Sequence, residues 1–173
     1  MNRELWLLRH AKAARDLAVD DFDRPLKKRG QLAAQRLGEG LHQQHLIPDW
    51  IVSSPAKRAL ATALIVHEAI AAEGLVIVED KRLYQEGVEC LKTVLAECPL
   101  EAKRILLVGH NPELEDLLIY LVGAAHLPDN DKLLPTAALV RLKMPNDWSC
   151  LEADSAELLY ITCPKYFPED SSD

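Results

Sequence analysis

Glu4-Leu5-Trp6-Leu7-Leu8-Arg9 runs directly into His10, and the reading of this stretch decides the fold. Four apolar residues in succession, closed by charge on both sides, have the length of a strand and lack the period of an amphipathic helix. A strand that is apolar at every position must be covered on both faces, as in a parallel sheet held between layers of helices. Glu4–Arg9 is therefore read as a first, buried strand. Trp50-Ile51-Val52, Leu75-Val76-Ile77-Val78 and Ile105-Leu106-Leu107-Val108 read as further strands, each short and aliphatic or β-branched.

Longer amphipathic segments lie between these runs. Lys27–Gln44 places Leu32, Leu37 and Leu41 on one side, and Pro55–Ala72 carries Leu60, Leu64 and Ala71. After Asn111, the residues Leu114, Leu117, Leu118, Leu121 and Val122 follow the spacing of a buried helical face. Asn111 suits an N-cap, Pro112 the first helical position and Glu113 the first turn. Two later runs, Ala137–Lys143 and Leu158–Thr162, flank the turn-prone Pro145-Asn146-Asp147 and predict a hairpin at one sheet edge. The expectation is a single α/β domain over residues 1–167. It is a three-layer α/β/α sandwich with a mainly parallel sheet and an antiparallel edge. The acidic segment 168–173 is expected to be a disordered tail.

Composition narrows the function. With 49% apolar and 27% charged residues the chain has an ordinary soluble balance. The apolar run near the N-terminus is too short for a signal peptide, and no run reaches the length of a membrane span, so a cytoplasmic protein is expected. Cys90, Cys98, Cys150 and Cys163 form no Cys-x-x-Cys pair and read as free, partly buried thiols. The net charge of −7 repels nucleic acid and anionic membranes, so neither is expected as a partner. An anionic substrate would have to be drawn in by a local cationic pocket.

Parallel sheets collect their functional groups just past the carboxyl ends of the strands. Here the first strand ends in Arg9-His10 and the second in Ser53-Ser54-Pro55, with Arg58 in the opening turn of the next helix. The fourth ends in Gly109-His110. Arginine presents a fork of donors that matches phosphate oxygens, and helix N-termini add unpaired N–H groups. One imidazole can attack phosphorus while the other stabilises the transferring group. The arginines already supply positive charge, so no metal or other cofactor is required. Two histidines without a third ligand at a recognisable spacing do not make a zinc site. Singly, each of these residues also has a plain structural reading; the joint pattern is what points to phosphoryl chemistry.

Arg9-His10, Ser54-Pro55 with Arg58, and Gly109-His110, in this order, resemble the signature of the histidine phosphatase superfamily. More narrowly the chain is similar to the short, SixA-type phosphohistidine phosphatases. The likeness runs from about Glu4 to Cys163 and includes Asp23-Arg24-Pro25-Leu26 with Gly30, and Leu134-Pro135-Thr136-Ala137-Ala138. The resemblance implies a phosphoglycerate mutase-like fold and a metal-independent phosphatase that forms a covalent phosphohistidine. His10 would be the nucleophile, Arg9 and Arg58 would grip the phosphoryl oxygens, and His110 would hydrogen-bond the same group. Arg24 and Asn111 are candidate substrate-binding residues. The implied partners are a phosphorylated protein such as a histidine-phosphotransfer domain, which would place the chain in signal transduction, or a small phosphorylated metabolite.

Two departures bear on the chemistry. Ala11 stands where the family has glycine, so the loop must take a conformation that a Cβ permits. The chain is also too short for the lid that carries a glutamate acid in larger relatives, which leaves Glu86 and Asp16 as candidate general acids. A poorly placed acid suits phosphohistidine, whose nitrogen can take up a proton before leaving, better than an alcohol ester. The neighbouring arginines are expected to lower the pKa of His10. A phosphatase of small monoesters and a phosphate- or phosphopeptide-binding module without catalysis stay open as alternatives.

Overall fold

The computed structural model describes residues 3–15 and 18–162. In β1 (Arg3–Arg9) the residues Leu5, Trp6, Leu7 and Leu8 are all fully buried. Leu5 and Leu7 join one apolar cluster, Trp6 and Leu8 the other, because successive strand side chains point to opposite faces. β4 (Arg104–Gly109) divides in the same way, Ile105 and Leu107 to the first cluster, Leu106 and Val108 to the second. Helices α3 (Val88–Ala96) and α4 (Glu113–Val122) cover the first face. Helices α1 (Lys28–Gln43) and α2 (Lys57–Ile70) cover the second. Each large apolar side chain buried in this way contributes about 1.5–3 kcal/mol, and burial on both sides of β1 and β4 is what makes three layers.

The six strands lie in the order β3 (Ile77–Glu79), β2 (Trp50–Ser53), β4, β1, β5 (Leu139–Met144), β6 (Glu157–Thr162). The first four are parallel, and β5 is antiparallel to both β1 and β6. This is the mainly parallel α/β/α sandwich with an antiparallel edge that the apolar runs predict. All five apolar residues singled out after Asn111 are buried along α4. No helix among the described residues is long and apolar enough to cross a membrane.

The structure corrects several details. The third strand is shifted to Ile77–Glu79, because Leu75 turns into the core while Val76 and Val78 face solvent at the sheet edge. β5 and β6 pair, but residues 145–156 join them in place of a tight turn. The connection is longer because Trp148 is fully buried within it, its indole N–H donating to the Ala102 carbonyl at 3.3 Å. In α2 Leu64 is exposed and Leu60 half-buried, and the buried face is Arg58, Ala59, Thr62, Ala63, Val66 and Ile70. Small residues there let α1 approach closely: a Cβ on Gly38 would lie 2.5 Å from that of Ala69. Asn111 is not the N-cap of α4. Pro112 directly precedes the helix without a side-chain cap, and the Asn111 amide turns to Glu115 and Leu134 instead. Among the cysteines, Cys98 is buried and Cys90 half-buried, whereas Cys150 is exposed. Cys163 and the acidic segment 168–173 lie outside the described residues.

Candidate active site

Strand register brings the predicted residues together. β1 and β4 pair with Arg9 opposite Gly109, and the His10 N–H continues the ladder to the Gly109 carbonyl at 3.1 Å. β2 pairs with β4 so that Ser53 faces Val108, and Ser54 N–H donates to the Val108 carbonyl at 3.0 Å. His110 therefore emerges between Ser54 on one side and His10 on the other. The two imidazole centroids are 5.2 Å apart at 51°. His10, Ser54, Arg58 and His110 are all buried, which is uncommon for such side chains unless they are paired.

The partners of His10 fix its tautomer. Nδ1 lies 2.8 Å from the Ala11 carbonyl, which can only accept, so Nδ1 carries the proton and Nε2 has a free lone pair. Burial, more than the arginines, lowers the pKa of His10 to about 4. Arg58, Arg9 and Arg24 add smaller repulsions. The expected direction is thus met with a different leading cause, and His10 is neutral at pH 7. Ala11 is fully buried and is not among the residues with positive φ, so the alanine fits where glycine is usual. Its N–H donates to Thr62 Oγ1 at 3.0 Å, and Thr62 donates to the Arg58 carbonyl at 2.7 Å. One hydroxyl on α2 ties the His10 loop to the helix that carries Arg58.

His110 is held through Nε2, 2.8 Å from Ser54 Oγ. Ser54 Oγ accepts the Ala56 N–H at 3.2 Å, and among the described residues His110 Nε2 is the acceptor within reach of its own proton. That leaves the proton of His110 on Nδ1, which is buried and has no partner among the described residues. Burial, followed by His10 and Arg58, lowers the pKa of His110 to about 3. Both imidazoles are therefore neutral at pH 7.

Arg58 donates through Nη1 to the Asp21 carbonyl at 2.6 Å and through Nη2 to its carboxylate at 3.0 Å. Asp21 also accepts from Tyr84 Oη at 2.7 Å and from Arg24 Nε at 3.0 Å. These donors hold the Asp21 carboxyl down to about 2, the Tyr84 bond contributing most. Tyr84 stands edge-on to His110, with centroids 5.5 Å apart. Arg9 donates to the Leu134 carbonyl at 3.1 Å. The Nε atoms of Arg9 and Arg58 are buried without a partner among the described residues.

The remaining predicted residues have other placements. Arg24 joins the cluster through Asp21 and the Ala14 carbonyl. Both amide hydrogens of Asn111 are used, one on Glu115 and one on the Leu134 carbonyl. Its side chain therefore holds the 134 loop against α4 and keeps no donor for a phosphate. Glu86 is exposed, within 3.8 Å of Cys90 Sγ, and Asp16 lies outside the described residues. Among the described residues no cluster of three or more His, Cys, Asp or Glu is placed to hold a metal ion. The sequence reading did not single out Asp21, Tyr84, Thr62 or Glu115. Only Thr62 leaves a sequence trace, four residues after Arg58 on the same helical face.

Comparison with known proteins agrees with this geometry. The pattern of the histidine phosphatase superfamily (branch 1) matches residues 5–87, which include His10 and Arg58. An uncharacterised protein of Mycobacterium tuberculosis is 28% identical over 163 residues, 91% of this chain and all of that one. The fold superposes on a proposed phosphohistidine phosphatase SixA from Agrobacterium tumefaciens with a TM-score of 0.78. The identity is 29%, over 95% of this chain and 99% of the other. A second proposed SixA, from Nakamurella multipartitia, gives 0.82 at 29% identity, over 95% and 97%. The SixA protein histidine phosphatase solved with tungstate shares the fold, with a TM-score of 0.77 at 20% identity over 95% and 99%. His110 lies beyond the matched segment and stands on the register of β4 and its contacts with Ser54 and His10. The fold, the ordered motifs and the matched segment agree: the chain has the fold and carries the ordered motifs of the histidine phosphatase superfamily.

Proposed function

We propose that the chain is a protein phosphohistidine phosphatase in which His10 carries the phosphoryl group between two half-reactions. The observation that supports this most directly is His10 itself. It is buried, neutral, bound through Nδ1 to the Ala11 carbonyl, and set among Arg9, Arg58 and His110. In the first step the Nε2 lone pair attacks phosphorus. The bond from phosphorus to the substrate nitrogen breaks, that nitrogen keeps the electron pair, and a proton taken up from solvent sits on the other ring nitrogen of the leaving imidazole. In the second step water attacks phosphorus, the bond to Nε2 breaks, and inorganic phosphate leaves with His10 restored. Arg9 and Arg58 balance the phosphoryl charge, and the Nδ1–H of His110 donates to an equatorial oxygen.

The proton inventory among the described residues supports this substrate class. Asp21 stays ionised far below neutral pH and cannot serve as a donor, and both histidines are neutral. An alkoxide would leave without a proton, whereas the nitrogen of phosphohistidine can be protonated before the bond breaks.

The test is a quenched reaction with a labelled phosphohistidine protein, run with wild type and with His10→Ala. Wild type should release phosphate and trap label on His10; the variant should do neither. Wild-type turnover by His10→Ala would overturn the nucleophile. Hydrolysis of an aryl phosphate but not of the phosphohistidine protein would keep the chemistry and reject the substrate.

A further inference from the structure

The segments 9–15 and 24–30 hold seven of the chain's 20 Lys and Arg residues: Arg9, Lys12, Arg15, Arg24, Lys27, Lys28 and Arg29. All 27 Asp and Glu lie elsewhere. The fold joins these segments edge to edge. Ala13 and Leu26 form an antiparallel bridge, Lys27 N–H donates to the Lys12 carbonyl at 2.9 Å, and Ala14 N–H to the Pro25 carbonyl at 2.8 Å. Ala13 and Leu26 point inward and are buried, so the flanking Lys12 and Lys27 point away from the core. Gly30 makes the approach possible, since a Cβ there would lie 2.2 Å from the Lys12 carbonyl oxygen.

The outcome is a cationic ridge beside the mouth of the His10 site. Arg15, Lys27, Arg29 and Lys132 are exposed and Lys12 is half-buried. Burial and then Arg15, Arg29, Lys27 and Lys132 hold the Lys12 ammonium below its ordinary pKa, so each of the four lies within electrostatic range of Lys12. Among the described residues none of the five has a carboxylate within 4.0 Å. A chain of net charge −7 has carboxylates to spare, yet among the described residues none forms an ion pair with these five cations.

We propose that the ridge of Lys12, Arg15, Lys27, Arg29 and Lys132 is a docking surface for an acidic protein face that surrounds the phosphorylated residue. The proposal rests on the phosphohistidine reading above and names its partner class. The phosphoryl group has Arg9 and Arg58 inside the pocket, so the ridge is left to meet charge outside it. An extended nucleic acid is the poorer fit, because it would run from the ridge onto the acidic remainder of the surface.

Two synthetic phosphohistidine peptides, one flanked by glutamates and one by lysines, test the idea against wild type and a Lys27→Glu/Arg29→Glu double variant. Wild type should turn over the glutamate peptide about tenfold faster in kcat/KM at low salt, through KM. The preference should shrink at 0.5 M salt. The double variant should lose the preference yet hydrolyse a small phosphoramidate within twofold of wild type. Equal use of both peptides by wild type, or a preference that survives in the double variant, would overturn the proposal. Binding of the unphosphorylated glutamate peptide is measured in parallel. If wild type binds it, the double variant does not, and neither peptide is hydrolysed, the docking surface stands and the phosphohistidine assignment falls.

Discussion

Acidification should unfold this protein earlier than its carboxylates would dictate, because two imidazoles are buried in neutral form. His10 and His110 have pKa values lowered from 6.5 to about 4 and about 3. Their ordinary values return on unfolding, so between pH 6.5 and 5 the unfolded chain binds protons that the folded chain refuses. Stability therefore rises with pH in this window and is lost as pH falls from 6.5 toward 4 and 3. Integrated from pH 6.5 to 5, each histidine removes about 1.5 kcal/mol, or about 3 kcal/mol together. That is a large share of the ~5–15 kcal/mol that holds a typical domain folded. With centroids 5.2 Å apart, the first ring to take a proton discourages the second, so uptake belongs to the pair. Asp21 does not confuse the window, since its carboxyl titrates between 3.8 and about 2. Urea unfolding followed by the fluorescence of the buried Trp6 and Trp148 would be measured at both pH values. Wild type would be compared with a His10→Gln/His110→Gln variant. Wild type should lose about 3 kcal/mol more than the variant between the two pH values; equal losses would refute the neutral buried pair.

Ser54→Ala removes the hydroxyl that directs the His110 proton to Nδ1, and kcat should fall about tenfold, the loss of one hydrogen bond worth ~1.4 kcal/mol. Steady-state kinetics checks this, and an unchanged kcat with raised KM would assign Ser54 to binding alone. Gly30→Ala forces a Cβ to within 2.2 Å of the Lys12 carbonyl oxygen, so denaturant midpoints should report a loss of about 1–3 kcal/mol from overpacking. Phosphatase activity should fall with it, since the displaced loop begins at His10.

The parts of the fold that were legible in sequence are those fixed by continuous apolar runs. Leu5–Leu8 and Ile105–Val108 admit one physical solution, a strand covered on both sides, and the structure adopts it. The residues at the ends of those strands were legible for the same reason, because parallel register fixes where His10 and His110 emerge. The α2 face was less legible. Leu60 and Leu64 look like its core, yet the helix turns alanines inward because α1 packs too close for leucine. Asp21 was not legible at all. Its role depends on a loop folding back across 37 residues to reach Arg58 and across 63 to reach Tyr84, and no local pattern encodes such a contact.

Asp21 also bears on how the site handles phosphate. Its carboxylate, with Arg58, Arg24 and Tyr84 around it, is an anion already in place beside the arginine proposed to bind phosphate. It satisfies Nη2 of Arg58, and the Asp21 backbone carbonyl satisfies Nη1; a buried donor left without a partner costs roughly 1–3 kcal/mol. The carboxylate also offsets the repulsion between Arg58 and Arg24 while His10 is empty. In the proposed reaction the entering phosphoryl group meets an Arg58 that is already oriented, so little side-chain entropy remains to be lost. The same carboxylate repels the dianion that leaves after hydrolysis. Placement of the arginine before reaction and release of phosphate after it thus draw on one ion pair, whose permanent charge explains why Asp21 serves this site as an anchor and not as an acid.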